Sequence, residues 1–213
     1  MHDFENEYFF LLQEYKNGLD NPNPVPVDPL NEIPFTHKAL ALDSKPFMLY
    51  DNSLEYKDVA DFKPLNRLPE ILFHGGDLIV KEELRNAILA LEIPNLAMNA
   101  ISFIDYKKNQ HDGLWYLAFT KLFYGWDKIT RFNKAAKISG TNPLYSQAKG
   151  YSLNYLLLAK TPLQNRLLLK LDEAGDHNVI AHESIAYLFK KSGVIVLPAS
   201  EYENYDPYKN DQT

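Results

Sequence analysis

The chain has 213 residues, 46% hydrophobic and 23% charged, a balance that suits one well-packed folded domain. It contains no cysteine, which excludes disulfides, thiol catalysis and cysteine-ligated zinc. A net charge of −6 argues against nucleic acid as the main partner and for a basic protein partner.

The N-terminal stretch MHDFENEYFFLLQEYKNG is acidic ahead of its apolar run, so no secretory signal is expected. No apolar run approaches the roughly 18 residues of a membrane span, so a cytoplasmic protein is expected. Glu7–Gly18 is aromatic and closes on Asn-Gly, which predicts a first strand and a turn. The next segment carries Pro22, Pro24, Pro26, Pro29 and Pro34, which predicts extended coil wrapped on a surface. KPFMLYD reads as a strand, and LNRLPEILFHGG as an apolar segment ending in a Gly-Gly turn. KEELRNAILALE places Leu84, Ala87, Ile88 and Leu91 at helical spacing, and Pro94 is expected to end the helix. NLAMNAISFID and GLWYLAFTKLFYGW read as strands, and DKITRFNKAAKIS as a short helix before a loop through GTNPLYSQAKGYS. LNYLLLAK and NRLLLKLD are short apolar runs, read as buried strands. A helix across NVIAHESIAYLFKKSG and a strand at GVIVLPA close the chain. The fold class predicted is α+β: a single domain, 1–213, with a mixed or mostly antiparallel sheet and a few packed helices.

Charge is unevenly placed. Residues 1–32 hold seven acids against one Lys, whereas 107–170 hold eleven Lys/Arg against Asp112 and Asp127. Such blocks either present opposite potentials on different faces or neutralise one another across the fold.

Five local patterns bear on chemistry. His182-Glu183 is the first half of the zinc-peptidase helix motif HExxH, in which two His one turn apart share a metal. Position 186 is Ala, so the second ligand is missing, and His37, His74 or His111 would have to be recruited from afar. FHGGD resembles an oxyanion loop but has no nucleophile elbow to serve, so a glycine turn is the preferred reading. LDEAGDHN crowds Asp172, Glu173, Asp176 and His177 together, a composition that suits a cation or, preferably, a strand-to-helix connection. Lys128, Arg131, Lys134 and Lys137 recur beside Trp126 and Phe132, and are read as a solvated helix face before a phosphate-tracking stripe. The tail alternates Tyr202, Tyr205 and Tyr208 with Glu201, Glu203 and Asp206, either a docking surface for a Lys/Arg-rich partner or a frayed terminus. An internal similarity also aligns DLIVKEELRNAILALEI (77–93) with NVIAHESIAYLFKKSGV (178–194), matching Glu82 to Glu183, Leu84 to Ile185 and Ile88 to Phe189. Any two amphipathic helices after a turn would align in this way, but a shared local geometry is expected.

The segments LPEILFHGGDLIVKEELRNAILALEIPNLAMNAISF and NRLLLKLDEAGDHNVIAHESIAYLFKKSGVIVLPASEYE resemble the bacterial polymorphic-toxin immunity proteins of the DUF1629 group. In that group an apolar strand enters a helix through a Ser-Glu pair. The resemblance spans about 65–201, between a proline-rich wrap with strands (1–64) and an acidic, Tyr-rich tail (202–213). Lys81 and His182 stand where the group has Ser. Neither is expected to accept the amide bonds of a helix start, so capping is expected from elsewhere. The resemblance implies a protein that binds and neutralises a cognate toxin, a nuclease for example, by occluding its cleft without catalysis, cofactor or metal. Glu201, Tyr202, Glu203, Tyr205, Asp206 and Tyr208 are the contact candidates. The alternatives are a small hydrolase or metal-dependent enzyme built on His74, Asp176, His177 and His182, and a nucleic-acid-binding module using the basic middle segment.

Overall fold

The structure, a computed structural model, describes residues 4–14, 21–28, 38–41, 43–53, 67–120, 153–171, 178–191 and 193–205. It is an α+β fold, mostly sheet. The described residues fall into two compact units, the first holding 4–12, 153–190 and 195–205 and the second 13–120 and 191–194. No described helix is long and apolar enough to cross a membrane.

The second unit carries a six-stranded mixed sheet. Its strands are β2 (Pro24–Pro26), β3 (Phe47–Asp51), β4 (Ile71–His74), β5 (Asp77–Lys81), β6 (Leu96–Ile104) and β7 (Gln110–Phe119), in the order β2-β3-β6-β7-β5-β4. The proline-rich wrap was expected as coil. Its Pro-Val-Pro instead forms an edge strand antiparallel to β3, the one place in a sheet where missing N–H donors cost little. β3 runs parallel to β6, and the other pairings are antiparallel. Gly75-Gly76 turns β4 into β5, with Gly75 at φ 59°, so the glycines make a hairpin before the helix begins. The core joins Leu49, Leu72, Ile79, Ile101, Phe103, Leu114 and Tyr116.

Helix α1 spans Glu82–Leu89 and buries Leu84 and Ile88, as the periodicity predicts. It ends before Leu91 and well before Pro94. The chain turns through Glu92 and Asn95, both at positive φ (50° and 62°), which no helix continues.

The first unit carries a four-stranded sheet in the order β10-β1-β9-β8, made of β1 (Tyr8–Gln13), β8 (Leu168–Lys170), β9 (Val179–His182) and β10 (Val194–Pro198). Its core joins Phe4, Tyr8, Phe10, Leu158, Leu169, Leu171 and Ile180. Leu153–Lys160, expected as a buried strand, is instead helix α2 (Tyr155–Lys160). Asn154 accepts the Leu157 amide at 3.1 Å, and the run that follows, Tyr-Leu-Leu-Leu-Ala-Lys, has no β-branched residue to favour a strand. Only Leu158 of this helix is buried. Helix α3 (Glu183–Ala186) passes into a 3₁₀ turn, Tyr187–Phe189. A second 3₁₀ segment, Ala199–Asn204, follows β10.

The internal similarity seen in the sequence is a repeat of topology. In the second unit the order β6-β7-β5-β4 surrounds a strand, β5, that runs straight into α1; in the first, β10-β1-β9-β8 surrounds β9, which runs straight into α3. The registers agree. Ile79 faces Tyr116 and Leu72, while Ile180 faces Phe10 and Leu169. The Lys81 amide donates to Glu70 O, and the His182 amide to Leu167 O. At the ends of the two central strands, β7 and β1, the Thr120 amide donates to Asn95 O and the Glu14 amide to Gly193 O, with Asn95 and Gly193 both in the left-handed region and all four residues inside the second unit's bounds. The connectivity differs, as do the sheet sizes, six strands against four, and the helix lengths, eight residues against four. The strand between the outer pair, β7, follows β6 in sequence, whereas its counterpart β1 comes from the start of the chain.

Candidate functional site

Among the described residues, polar side chains gather at the two equivalent strand-to-helix junctions of the repeat. In the first unit the place is the start of α3. His182 is the last residue of β9 and has an extended backbone (φ −67°, ψ 149°), the conformation of a helix cap. Its Nδ1 accepts the Ser184 amide at 3.2 Å and lies 2.9 Å from Ser184 Oγ. His182 therefore caps its own helix, contrary to the expectation that it accepts no such bond. With Nδ1 accepting, the proton sits on Nε2, which is 3.5 Å from Glu7 Oε2. Arg166 Nη1 lies 3.8 Å from the same carboxylate and donates to Tyr8 Oη at 3.0 Å, and its guanidinium stacks 5.1 Å over the Phe4 ring. Burial, helped by the Arg166 charge, holds the His182 imidazole below its usual pKa, although Glu7 opposes the shift. Burial likewise raises the Tyr8 phenol.

Lys81 is the counterpart of His182 and has the same extended backbone (φ −74°, ψ 162°), but it makes no side-chain cap. Its ammonium instead donates to Leu68 O at 2.7 Å, where burial lowers its pKa. Around it an open groove of about 750 Å³ is lined by Arg67, Leu68, Glu70, Lys81–Leu84 and Gln110–Leu114. Of these, Leu84 and Leu114 are buried, Leu114 within the core of the sheet. Glu83 and Asp112 are exposed at the edge of the groove. Glu70 pairs with Lys191 at 3.1 Å, and Glu82 pairs with Arg85 at 2.9 Å and accepts from the Trp115 indole. Asp112 accepts from Ser102 at 2.6 Å and from Gln110 at 3.2 Å, and these bonds hold its carboxyl below the usual range.

Of the enzyme candidates drawn from sequence, His74 and His182 are described and each belongs to a different unit. His74 ends β4 in the second unit, its ring 6.1 Å from that of Tyr116, while His182 belongs to the first. Asp176 and His177 lie outside the described residues, as do His37, Asp172, Glu173 and the whole basic stretch from Lys128 to Lys137. Among the described residues no three His, Asp or Glu side chains gather as a metal would require. In the tail, Tyr202 is half-buried with its ring 4.3 Å from Phe10, and its hydroxyl accepts from the Asn178 amide at 3.3 Å. Glu201 is exposed and Tyr205 half-buried; Asp206 and Tyr208 lie outside the described residues, and the Glu203 side chain is likewise not described. Glu7 and Arg166, which complete the His182 cluster, carried no local signal in the sequence. Their partners lie far along the chain, Tyr8 and Arg166 being 158 positions apart. Comparison with known proteins finds no family model that matches the chain and no curated protein that matches it.

Proposed function

We infer that the chain is a cytoplasmic immunity protein that binds a cognate bacterial toxin and blocks its active site or substrate cleft without catalysis. The observation that carries this reading is the groove at the start of α1. It holds four carboxylates, of which Glu70 and Glu82 are paired with Lys191 and Arg85, and Glu83 and Asp112 are the exposed pair it can present to a basic protein surface. The net charge of −6 favours the same kind of partner. The two segments that resemble the immunity group are each a strand running directly into a helix with Glu at its first position, Glu82 and Glu183, which agrees with the resemblance. The test is to determine whether a polymorphic toxin is encoded beside the gene and to co-express the chain with it. Restored growth of the host and a stable complex of the two purified proteins are expected. A host that dies despite full expression of this chain would overturn the reading.

A second reading, a small hydrolase, is favoured by one observation: the line Ser184 Oγ, His182 imidazole, Glu7 carboxylate, with spacings of 2.9 and 3.5 Å. The lone pair of Nδ1 is shared between the Ser184 hydroxyl and the Ser184 amide, so the ring is already engaged in capping. Labelling of Ser184 by a fluorophosphonate, lost in Ser184→Ala, would favour it over the first reading.

A further inference from the structure

The two nitrogens of the buried His182 ring face opposite demands. A backbone N–H can only donate, so Nδ1, 3.2 Å from the Ser184 amide, must be bare while that bond stands. The Ser184 hydroxyl, at 2.9 Å, can rotate to donate to the same atom or to accept from it. Nε2 lies 3.5 Å from a Glu7 carboxylate oxygen, a partner that favours the charged ring. Neutral imidazole serves both sides, capping α3 on one and presenting its proton to Glu7 on the other. Imidazolium serves one. Its contact with Glu7 strengthens, Nδ1–H turns to the Ser184 hydroxyl, and the Ser184 amide loses its acceptor.

We propose that His182 is an acid-operated switch, whose protonation releases the cap of α3 while the entry of β1 stays tied to the junction. The ties that remain do not use the imidazole. The Glu183 amide donates to Glu7 O at 2.7 Å, and Arg166 holds Glu7 at 3.8 Å and Tyr8 at 3.0 Å. What is released is a four-residue helix, too short to hold itself, and the 3₁₀ turn after it, with Glu183, Ser184 and Tyr187 on its exposed side. Among the described residues, the titratable and charged groups facing the ring are Glu7 and Tyr8 at the entry of β1, Arg166 at the end of the 3₁₀ turn Leu163–Arg166, and Glu183 on α3 itself. Burial, the largest influence, and Arg166 favour the neutral ring, whereas Glu7 and Glu183 favour the charged one. The balance places the switch on the acid side of the usual histidine range. Lys81, the counterpart of His182 in the other copy, makes no side-chain cap, so α1 has no such acceptor to lose.

The isotope-labelled full chain is followed by NMR from neutral pH down through the titration of His182. The ring nitrogens are read directly, and backbone amide exchange is corrected for the intrinsic effect of pH. At neutral pH the proton is expected on Nε2. As the ring charges, protection of the Ser184 amide should fall about tenfold, while the Glu183 amide keeps its protection and the first-turn amides of α1 do not follow the titration. In His182→Asn, whose side chain accepts without titrating, the fall at Ser184 should vanish. A proton on Nδ1 at neutral pH, Ser184 protection that ignores the charge on the ring, or a fall that persists in His182→Asn would overturn the proposal. So would a fall shared by the α1 amides, which marks general unfolding in acid. The wild-type readings decide the matter by themselves if the variant does not fold.

Discussion

His182 shows how much one side chain does at a helix start. It closes β9, caps α3 through Nδ1, and turns Nε2 toward Glu7. Replacing it by leucine removes the cap acceptor and should cost about 1–2 kcal/mol of stability in urea unfolding. His182→Asn keeps an acceptor at the cap and should cost less. The pH dependence follows from the lowered pKa. The unfolded chain binds a proton near pH 6.5 that the folded chain resists, so protonation favours unfolding. Its contribution is complete above pH 6.5 and is lost as pH falls through the lower folded value. Wild-type stability should therefore drop across that acidic window, and the drop should shrink in His182→Asn, with both proteins measured in the same buffer series. A Ser at this position would have been legible as a cap. A His was not, because its ability to accept depends on the tautomer, and here Glu7 fixes the tautomer from the other end of the chain.

At the scale of elements, local patterns sufficed where the chain's own neighbours decide. Leu84 and Ile88 at helical spacing predict α1, and the apolar run NLAMNAISFID predicts β6. The Leu-rich run of α2 reads as a strand because a short apolar segment has no period of its own; Asn154, just before it, caps it as a helix. The repeated element carries a direct test. Asn95 and Gly193 occupy the same turn, each accepting one strand amide at 2.9 Å, with φ of 62° and 85°. A Cβ at Gly193 would meet nothing closer than 3.8 Å, so Gly193→Ala carries only the backbone cost and should lower stability by about 1 kcal/mol. Asn95→Gly should raise it by a few tenths of a kcal/mol to about 1 kcal/mol, because it relieves the same conformation in the other copy. Denaturant midpoints of the two variants, moving in opposite directions, would establish the equivalence; movement in the same direction would break it.

For the molecule as a whole, the question raised by the acidic, aromatic tail divides by residue. Tyr202 is part of the first unit's core, against Phe10, and Tyr202→Ala should cost about 2 kcal/mol whether or not a partner is present. Deleting 200–213 would therefore confound folding with binding. Glu201 is exposed and free of that difficulty: under the immunity reading Glu201→Lys should weaken toxin affinity with no change in melting temperature if the tail is a contact. Unchanged affinity in that variant would remove the tail from the interface.

The sequence by itself determined part of the composition of the layers: most of the apolar runs that form strands, the helix that buries Leu84 and Ile88, and the recurrence of one strand-to-helix step; the helix expected across 178–193 instead begins at Glu183, after strand β9. These depend on propensity and periodicity over a few neighbouring residues. Only the tertiary structure decided the order of the strands, because pairing such as Tyr8 with His182 joins residues from opposite ends of the chain and leaves no local trace. That order is what makes the two copies permuted versions of one another. It brings Glu7 and Arg166 onto His182, and it leaves Gly113 on the open groove of the second unit.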